Sequence, residues 1–447
     1  MAHFISSSTI DVVPHPSARD QAVAKIHIKA GTTILKVPAF STALLFSQKG
    51  HRCDHCLRLP DQNSRLRRCT GCLEYWYCGS QCQNAQWQAH HRRICRKFNQ
   101  FTTSTTFQGL EEHAKMDAIL LTHLLARLST LSEPYSQEHS KEMNIFMSLL
   151  EGPSIDANPP PTCAINPTPP PNLIRNLFNR FGNNNFTVHS HFNTVTHAVF
   201  PLASRLFNHS CVPNAGPKYT FAQGEYPTME VVALADIEAG EQISIPYLDP
   251  ALTQTRHQIF QYTYGFTCTC PACTFLSSIG ELPAIPSHAE RLKDLSQKLR
   301  DFVRVDVYLT SEDYCRRSIQ DVPKELYPVL NETYMNTLSE MFSEASHEGN
   351  HAVSADSGIT LLALYLLVYP NNYPQIGMHL LEMAKTHWNC EFVLSQPSSS
   401  GRRLELKREL SRLLVLARRV LGVMGAEGDT DGPFQEIALL ESLVKNA

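Results

Sequence analysis

Cysteine and histidine at ligand spacing crowd one short stretch of the chain. Between Cys53 and Cys95 stand Cys53-x2-Cys56, Cys69-x2-Cys72, Cys78-x3-Cys82 and a final His-Cys pair ending at Cys95. Thiolates and imidazoles at these intervals are ligand pairs for tetrahedral zinc, and eight such ligands saturate two ions. Cys78 and Cys82 fall one helical turn apart, so both sulfurs can face one metal. His91 and Cys95 repeat that interval, whereas His90 is rotated off the face. His91 is therefore the expected ligand and His90 the alternative. Farther along come Cys211 and the run Cys268-Thr269-Cys270-Pro271-Ala272-Cys273, again with ligand-type spacing. The chemistry predicted is structural metal binding, with every coordination position taken by protein.

Fourteen cysteines in 447 residues also raise the question of disulfides. Eleven sit in clustered contexts, and only Cys163, Cys315 and Cys390 stand alone. The amino terminus shows no basic stretch leading into an apolar one, so no secretion signal is expected and zinc thiolates are favoured. The three lone cysteines read as buried, small apolar residues. The apolar run from Ile359 to Val368 is too short to span a bilayer and is broken by Pro370. An intracellular protein of the nucleus or cytoplasm, with no membrane segment, is expected. A net charge of −3 gives no global field for nucleic acid. Arg67, Arg68, Arg92 and Arg93 crowd the zinc segment; they leave nucleic acid open as a partner, with a solvated basic face the commoner reading.

A second constellation lies downstream. Asn208-His209-Ser210-Cys211-Val212-Pro213-Asn214 is followed by Gly240-Glu241-Gln242, by Tyr247, and by Tyr264-Gly265-Phe266 ahead of Cys268. In that order these residues resemble the carboxyl half of a SET domain with its post-SET zinc site. The upstream cluster resembles a MYND zinc module. A MYND module set into a split SET domain resembles the SMYD-type protein-lysine methyltransferases. The resemblance implies an α+β protein: a split SET β-fold with an inserted MYND module, a cysteine-rich post-SET zinc site and a C-terminal α-helical domain. It implies S-adenosylmethionine as cofactor and a lysine on a histone or non-histone protein or peptide as methyl acceptor. Asn184, Asn208, His209 and Phe266 would contact the cofactor, and Phe186 the lysine channel. Tyr247 and Tyr264 would stand beside the transferring methyl. Interleaved zinc pairing is implied too, with Cys53, Cys56, Cys78 and Cys82 on one ion and Cys69, Cys72, His91 and Cys95 on the other. Cys211, Cys268, Cys270 and Cys273 would hold a third zinc. Partner peptides are the expected ligands of the MYND module and the helical domain.

Methyl transfer to an amine needs donor and acceptor held close and in line, which contributes through orientation. It also needs the neutral amine, which an apolar aromatic channel favours by penalising the ammonium. Short strands must position these parts. Ala22 to Ile28 alternates apolar and polar residues, Lys29-Ala30-Gly31 reads as a turn, and Thr33 to Val37 as extended. Strands are expected again around Phe186, at Ala198 to Leu202, at Glu230 to Leu234 and at Gln242 to Tyr247. Ile119, Leu120, His123, Leu124, Leu125 and Leu128 recur at helical spacing. A proline-rich spacer from Pro153 to Pro171 follows. Leu404, Leu406, Leu410, Leu413, Leu414, Ala417 and Val420 set a helical period near the carboxyl end. The expected divisions are 1–50 and 184–250 for the two SET parts and 51–97 for the MYND module. Between and after them come 98–183 for a helical insert with the proline loop, 251–280 for the post-SET segment and 281–447 for the helical domain.

One departure bears on activity. SET domains normally carry Gly-x-Gly near the amino terminus, and Arg19-Asp20-Gln21 falls there when Lys29-Ala30-Gly31 is aligned. Side chains at both glycine positions obstruct a close backbone approach or demand a different loop. A second expectation therefore stands beside the enzyme: a SET-like interaction scaffold with weak or no turnover.

Overall fold

Strands lie on both sides of a helical insert and give way to helices toward the carboxyl end in a computed structural model that describes residues 8–16, 18, 20–61, 65–131, 135, 140–153, 158–389 and 400–446. Ile10–Pro14 and Asp20–Ala24 pair as an antiparallel hairpin, with Val13 opposite Gln21. Thr33–Pro38 edges a three-stranded sheet, with Thr228–Ala233 in the centre and Ala215–Thr220 beyond it. A second sheet orders Ser41–Leu44, Asn193–Val199 and Phe186–Ser190. Ser244–Ile245 runs parallel to Asn208–His209. The two three-stranded sheets each join strands from both sides of the intervening cysteine-rich module, which interrupts the sequence but not the fold. Ile34, Val195, Met229 and Ile245 are among the side chains of their shared apolar core.

The expected strand at Ala198 to Leu202 is only half correct. The strand ends at Val199, and the chain turns into a helix, Pro201–Leu206, with Pro201 in its first turn. Proline suits that position because its ring presets the helical φ and its missing N–H has no partner to lose there. The same rule corrects Pro171, which begins the helix Pro171–Phe178 instead of closing the spacer. Glu112–Leu128 and Lys141–Met147 lie beside the zinc module in a second core. Cys163 is buried there, but Cys315 is exposed, contrary to expectation, and Cys390 lies outside the described residues.

From Ala289 onward the described residues are mainly helical, with Ala289–Val303, Glu332–Glu348, His351–Val368, Pro374–Trp388, Ser400–Met424 and Pro433–Asn446 the longer helices. His351–Val368 has the length and composition of a membrane span over its full 18 residues, more than the short apolar run suggested. Instead 61% of its residues are buried, packed in the core of the helical array. The loop after Met424 fastens this array to the sheets. Lys218 Nζ donates to the Met424 carbonyl at 2.6 Å, and the Gly428 amide to Tyr219 at 2.7 Å. Arg52 grips Asp429 with two nitrogens, at 2.8 and 2.5 Å, while Ser190 Oγ donates to the same carboxylate at 2.8 Å.

Candidate functional site

Three groups of four ligands gather in space: Cys53, Cys56, Cys78, Cys82; Cys69, Cys72, His91, Cys95; and Cys211, Cys268, Cys270, Cys273. Within each group the ligand atoms lie within 4.8 Å of one another. Zinc–sulfur bonds of about 2.3 Å in a tetrahedron place sulfurs about 3.8 Å apart. The contacting sulfur pairs stand 3.3 Å apart for Cys78–Cys82 and up to 3.9 Å for Cys211–Cys268, so the donor sets fit zinc. The pairing in the upstream module is interleaved, because each turn of Cys-x2-Cys faces a different later pair. Both turns close alike. Leu57 and Leu73 adopt φ of 63° and 60° and return their amides to Cys53 and Cys69. Gly71 lies inside one of these turns, where an added Cβ would stand 2.7 Å from Cys95 Sγ.

His91 Nε2 lies 3.4 Å from Cys69 Sγ and 3.6 Å from Cys72 Sγ. His90 points elsewhere and stacks on His123, with ring centroids 4.3 Å apart. The chain reaches this arrangement through a π-helical segment, Trp87–His91, between Ser80–Gln86 and Arg92–Thr102. A π-turn absorbs one extra residue without breaking the helix. His91 and Cys95 share a face because they stand four residues apart on the α-helical turn that follows, and the π-turn sets how Trp87 lies relative to that face.

The remaining site residues surround two adjoining cavities. The first, of about 510 Å3, is lined by Asn184, Asn208, His209, Tyr247, Tyr264 and Phe266, and also by Asp20 and Arg205. The second, of about 450 Å3, is lined by Phe186, Asn184, Tyr247 and Tyr264, and by Tyr373 and Met424 from the helical array. Phe266 belongs only to the first and Phe186 only to the second. Both volumes are in the range of small-molecule sites. Tyr247 and Tyr264 stand at the junction, ring centroids 5.1 Å apart. Tyr247 donates its hydroxyl to the Phe207 carbonyl at 2.8 Å. Burial pushes both phenols up, Tyr264 to about 12, so both remain protonated at neutral pH.

Asn208 donates Nδ2 to the Asp20 carbonyl at 3.1 Å, which ties the Asn-His turn to the amino-terminal hairpin. His209 spends both ring nitrogens on the protein. Nδ1 accepts the Tyr247 amide at 3.0 Å, so it carries no proton, and Nε2 faces Cys211 Sγ at 3.2 Å. Only its ring face is left for a ligand. Asn184 is buried and directs Nδ2 to the Arg180 carbonyl at 2.9 Å. Gln21 does not line the first cavity; its Nε2 reaches back across the hairpin to the Pro14 carbonyl at 3.5 Å. Strand alternation turns Asp20 inward and Gln21 away. Arg19 lies outside the described residues.

Some of the cavity's parts escaped the sequence reading. Asp20 and Arg205 form an ion pair at 2.5 Å in the wall. Phe260, fully buried, stacks under Phe266 with centroids 5.0 Å apart and beside His209 at 4.4 Å. Its spacing four residues before Tyr264 was a helical signal for it. Nothing local marks Tyr373 or Met424.

A family model of the SET domain matches residues 21–248. The protein named N-lysine methyltransferase SMYD2 of Gallus gallus is 23% identical over 387 residues, covering 79% of this chain and 81% of that protein. Its Homo sapiens namesake is 23% identical over 353 residues, covering 74% and 75%. Histone-lysine N-methyltransferase ASHR1 of Arabidopsis thaliana is 25% identical over 245 residues, covering 50% of this chain and 46% of that protein.

Proposed function

The chain belongs to the SET-domain family, of the SMYD type, and from that premise we propose that it is an S-adenosylmethionine-dependent protein-lysine N-methyltransferase. One observation carries the reading: two cavities meet at Tyr247 and Tyr264. The first has the chemistry of a cofactor site. Phe266, backed by Phe260, offers an aromatic wall, and the Asp20–Arg205 pair offers both charges to a zwitterionic amino-acid end. Asn208 and Asn184 add polar contacts. Bound there, S-adenosylmethionine supplies a methyl group activated by its sulfonium.

The second cavity receives the lysine side chain past Phe186. The buried tyrosines disfavour an ammonium between them and so help release its proton before transfer. Tyr247 commits its O–H to Phe207, which leaves its oxygen lone pairs to accept an N–H from the amine. His209 fixes Tyr247 from behind and links it to the post-SET thiolates. Zinc on all three sets is part of the proposal, as scaffold and not catalyst, since protein ligands fill each tetrahedron. A histone or non-histone protein is the substrate, and the MYND module and helical array are surfaces for partner peptides, in the nucleus or cytoplasm.

Calorimetric titration of the wild-type protein with S-adenosylmethionine tests the reading, with Asn208→Ala expected to abolish binding. Gln21 does not stand in the way, since its side chain leaves the cavity. Absence of binding at millimolar cofactor would sink the enzyme and leave the interaction scaffold.

A further inference from the structure

Arg256, in the short helix Arg256–Ile259, is 1% exposed and is the bulkiest fully buried side chain among the described residues. Its Nη1 donates to the Pro250 carbonyl at 2.7 Å. Nε and Nη2 are buried and reach no acceptor, sulfur included. Asp249 is within electrostatic reach, but its oxygens are taken by the Ala251 amide at 2.9 Å and the Tyr369 hydroxyl at 3.2 Å. A buried cation with donors left over is unfavourable unless a ligand meets them.

Arg256 lines a cavity of about 190 Å3 where the post-SET segment meets the helical array. Arg316 and Arg317 line it too, and no carboxylate does. Arg316 is held over the end of His351–Val368 by donating to the carbonyls of Leu366 at 2.9 Å and Leu367 at 3.1 Å. Arg317 is exposed and makes no ion pair among the described residues. The nearby Asp321 has an oxygen on the Ser318 amide at 3.4 Å. Planar guanidinium forks match the oxygens of a tetrahedral anion in pairs.

We propose that this cavity is a second binding site, for a tetrahedral oxyanion of the phosphate class, supplied free or on a phosphorylated side chain. Zinc on Cys211 and its three partners leaves a net negative charge, and Arg256 is within electrostatic reach of Cys211 and Cys273. Cys211 lines the cavity as well, so two negative charges stand against three arginines, and one positive charge is left for an anion to neutralise. An anion there bridges the post-SET segment, which carries Tyr264 and Phe266, to the helical array. Neither Tyr247 nor Tyr264 lines this cavity, so the site does not depend on the methyltransferase reading.

The test uses the full-length, zinc-loaded protein without cofactor. Inorganic phosphate and a phosphoserine peptide are titrated separately by calorimetry against chloride at matched ionic strength, with thermal melting in parallel. At least one should bind saturably and raise Tm. Arg317→Glu, at the exposed rim, should weaken that binding about tenfold or more while zinc content stays unchanged. A peptide that binds more tightly than phosphate assigns the site to phosphorylated side chains; phosphate binding as tightly or more assigns it to the free anion. No saturable binding, or the same affinity in Arg317→Glu, overturns the proposal and leaves Arg256 as the counter-charge of the thiolates alone.

Discussion

Removing one hydroxyl from each tyrosine between the cavities should separate stability from turnover. Tyr247 donates its hydroxyl to the carbonyl of Phe207, a fully buried residue. Tyr247→Phe strands that acceptor, at a cost of about 1–3 kcal/mol. The Tyr264 hydroxyl makes no hydrogen bond among the described residues, so Tyr264→Phe should stay within about 0.5 kcal/mol of wild type. Both residues line both cavities. On the proposed reading, deleting either hydroxyl should remove a polar contact to the amine, and a loss of about 1–3 kcal/mol would slow transfer roughly tenfold to a hundredfold. The variants should therefore differ in urea midpoint and share slow turnover. Equilibrium unfolding reads the first quantity. Single-turnover methyl transfer followed by mass spectrometry reads the second, free of product release. Zinc is measured in both, so that metal loss is not mistaken for a catalytic defect. Equal stability in the two variants would refute the Phe207 hydrogen bond, and unchanged turnover in both would refute their place in the reaction.

Metal analysis should find about three zinc ions per chain, falling by about one in His91→Ala and remaining unchanged in His90→Ala. The reverse would mean that the helical turn from His91 to Cys95 does not set the ligand face. Gly71→Ala drives a Cβ to 2.7 Å from Cys95 Sγ, so it should weaken zinc retention under chelator competition; wild-type retention would contradict the close approach. Asp429→Ala leaves Arg52 buried without its counter-ion and should cost about 3 kcal/mol in denaturant titration at neutral pH, against no measurable change if the clamp is idle. Burial pulls the Asp429 carboxyl up, but the Arg52 guanidinium outweighs it and holds the group below the usual carboxylate range. A depressed folded-state value means the contribution is present above the unfolded value of about 3.9 and lost as pH falls through the folded one. Wild type should accordingly lose more stability than Asp429→Ala on acidification through that window, and parallel acid profiles would contradict the linkage.

Local spacing marked the clustered cysteines. Cysteines two or three residues apart meet on one turn whatever surrounds them, and one helical turn made His91 the expected ligand ahead of His90; His91 is the histidine that gathers with Cys69, Cys72 and Cys95. The order of Asn208-His209, Tyr247, Tyr264 and Phe266 pointed to the family for the same reason: each motif is a short segment whose chemistry needs its own neighbours. Helical period marked the carboxyl-terminal array. Tertiary structure decided what period and spacing do not encode. Which early cysteine pair faces which later pair depends on how the chain returns across the module. The strand expected at Ala198 to Leu202 was cut short where Pro201 began a helix. Gln21 was turned out of the cavity and Asp20 into it by hairpin register, which one residue of slip would reverse. The second cavity is closed by residues distant in sequence: Asn372 donates to the Leu234 carbonyl at 2.8 Å beside Tyr373, and Lys218 donates to the Met424 carbonyl at 2.6 Å, which sets Tyr373 and Met424 among its walls with Phe186. Contacts between such distant positions are set by the burial and ion pairing of whole elements, and no local pattern announces them.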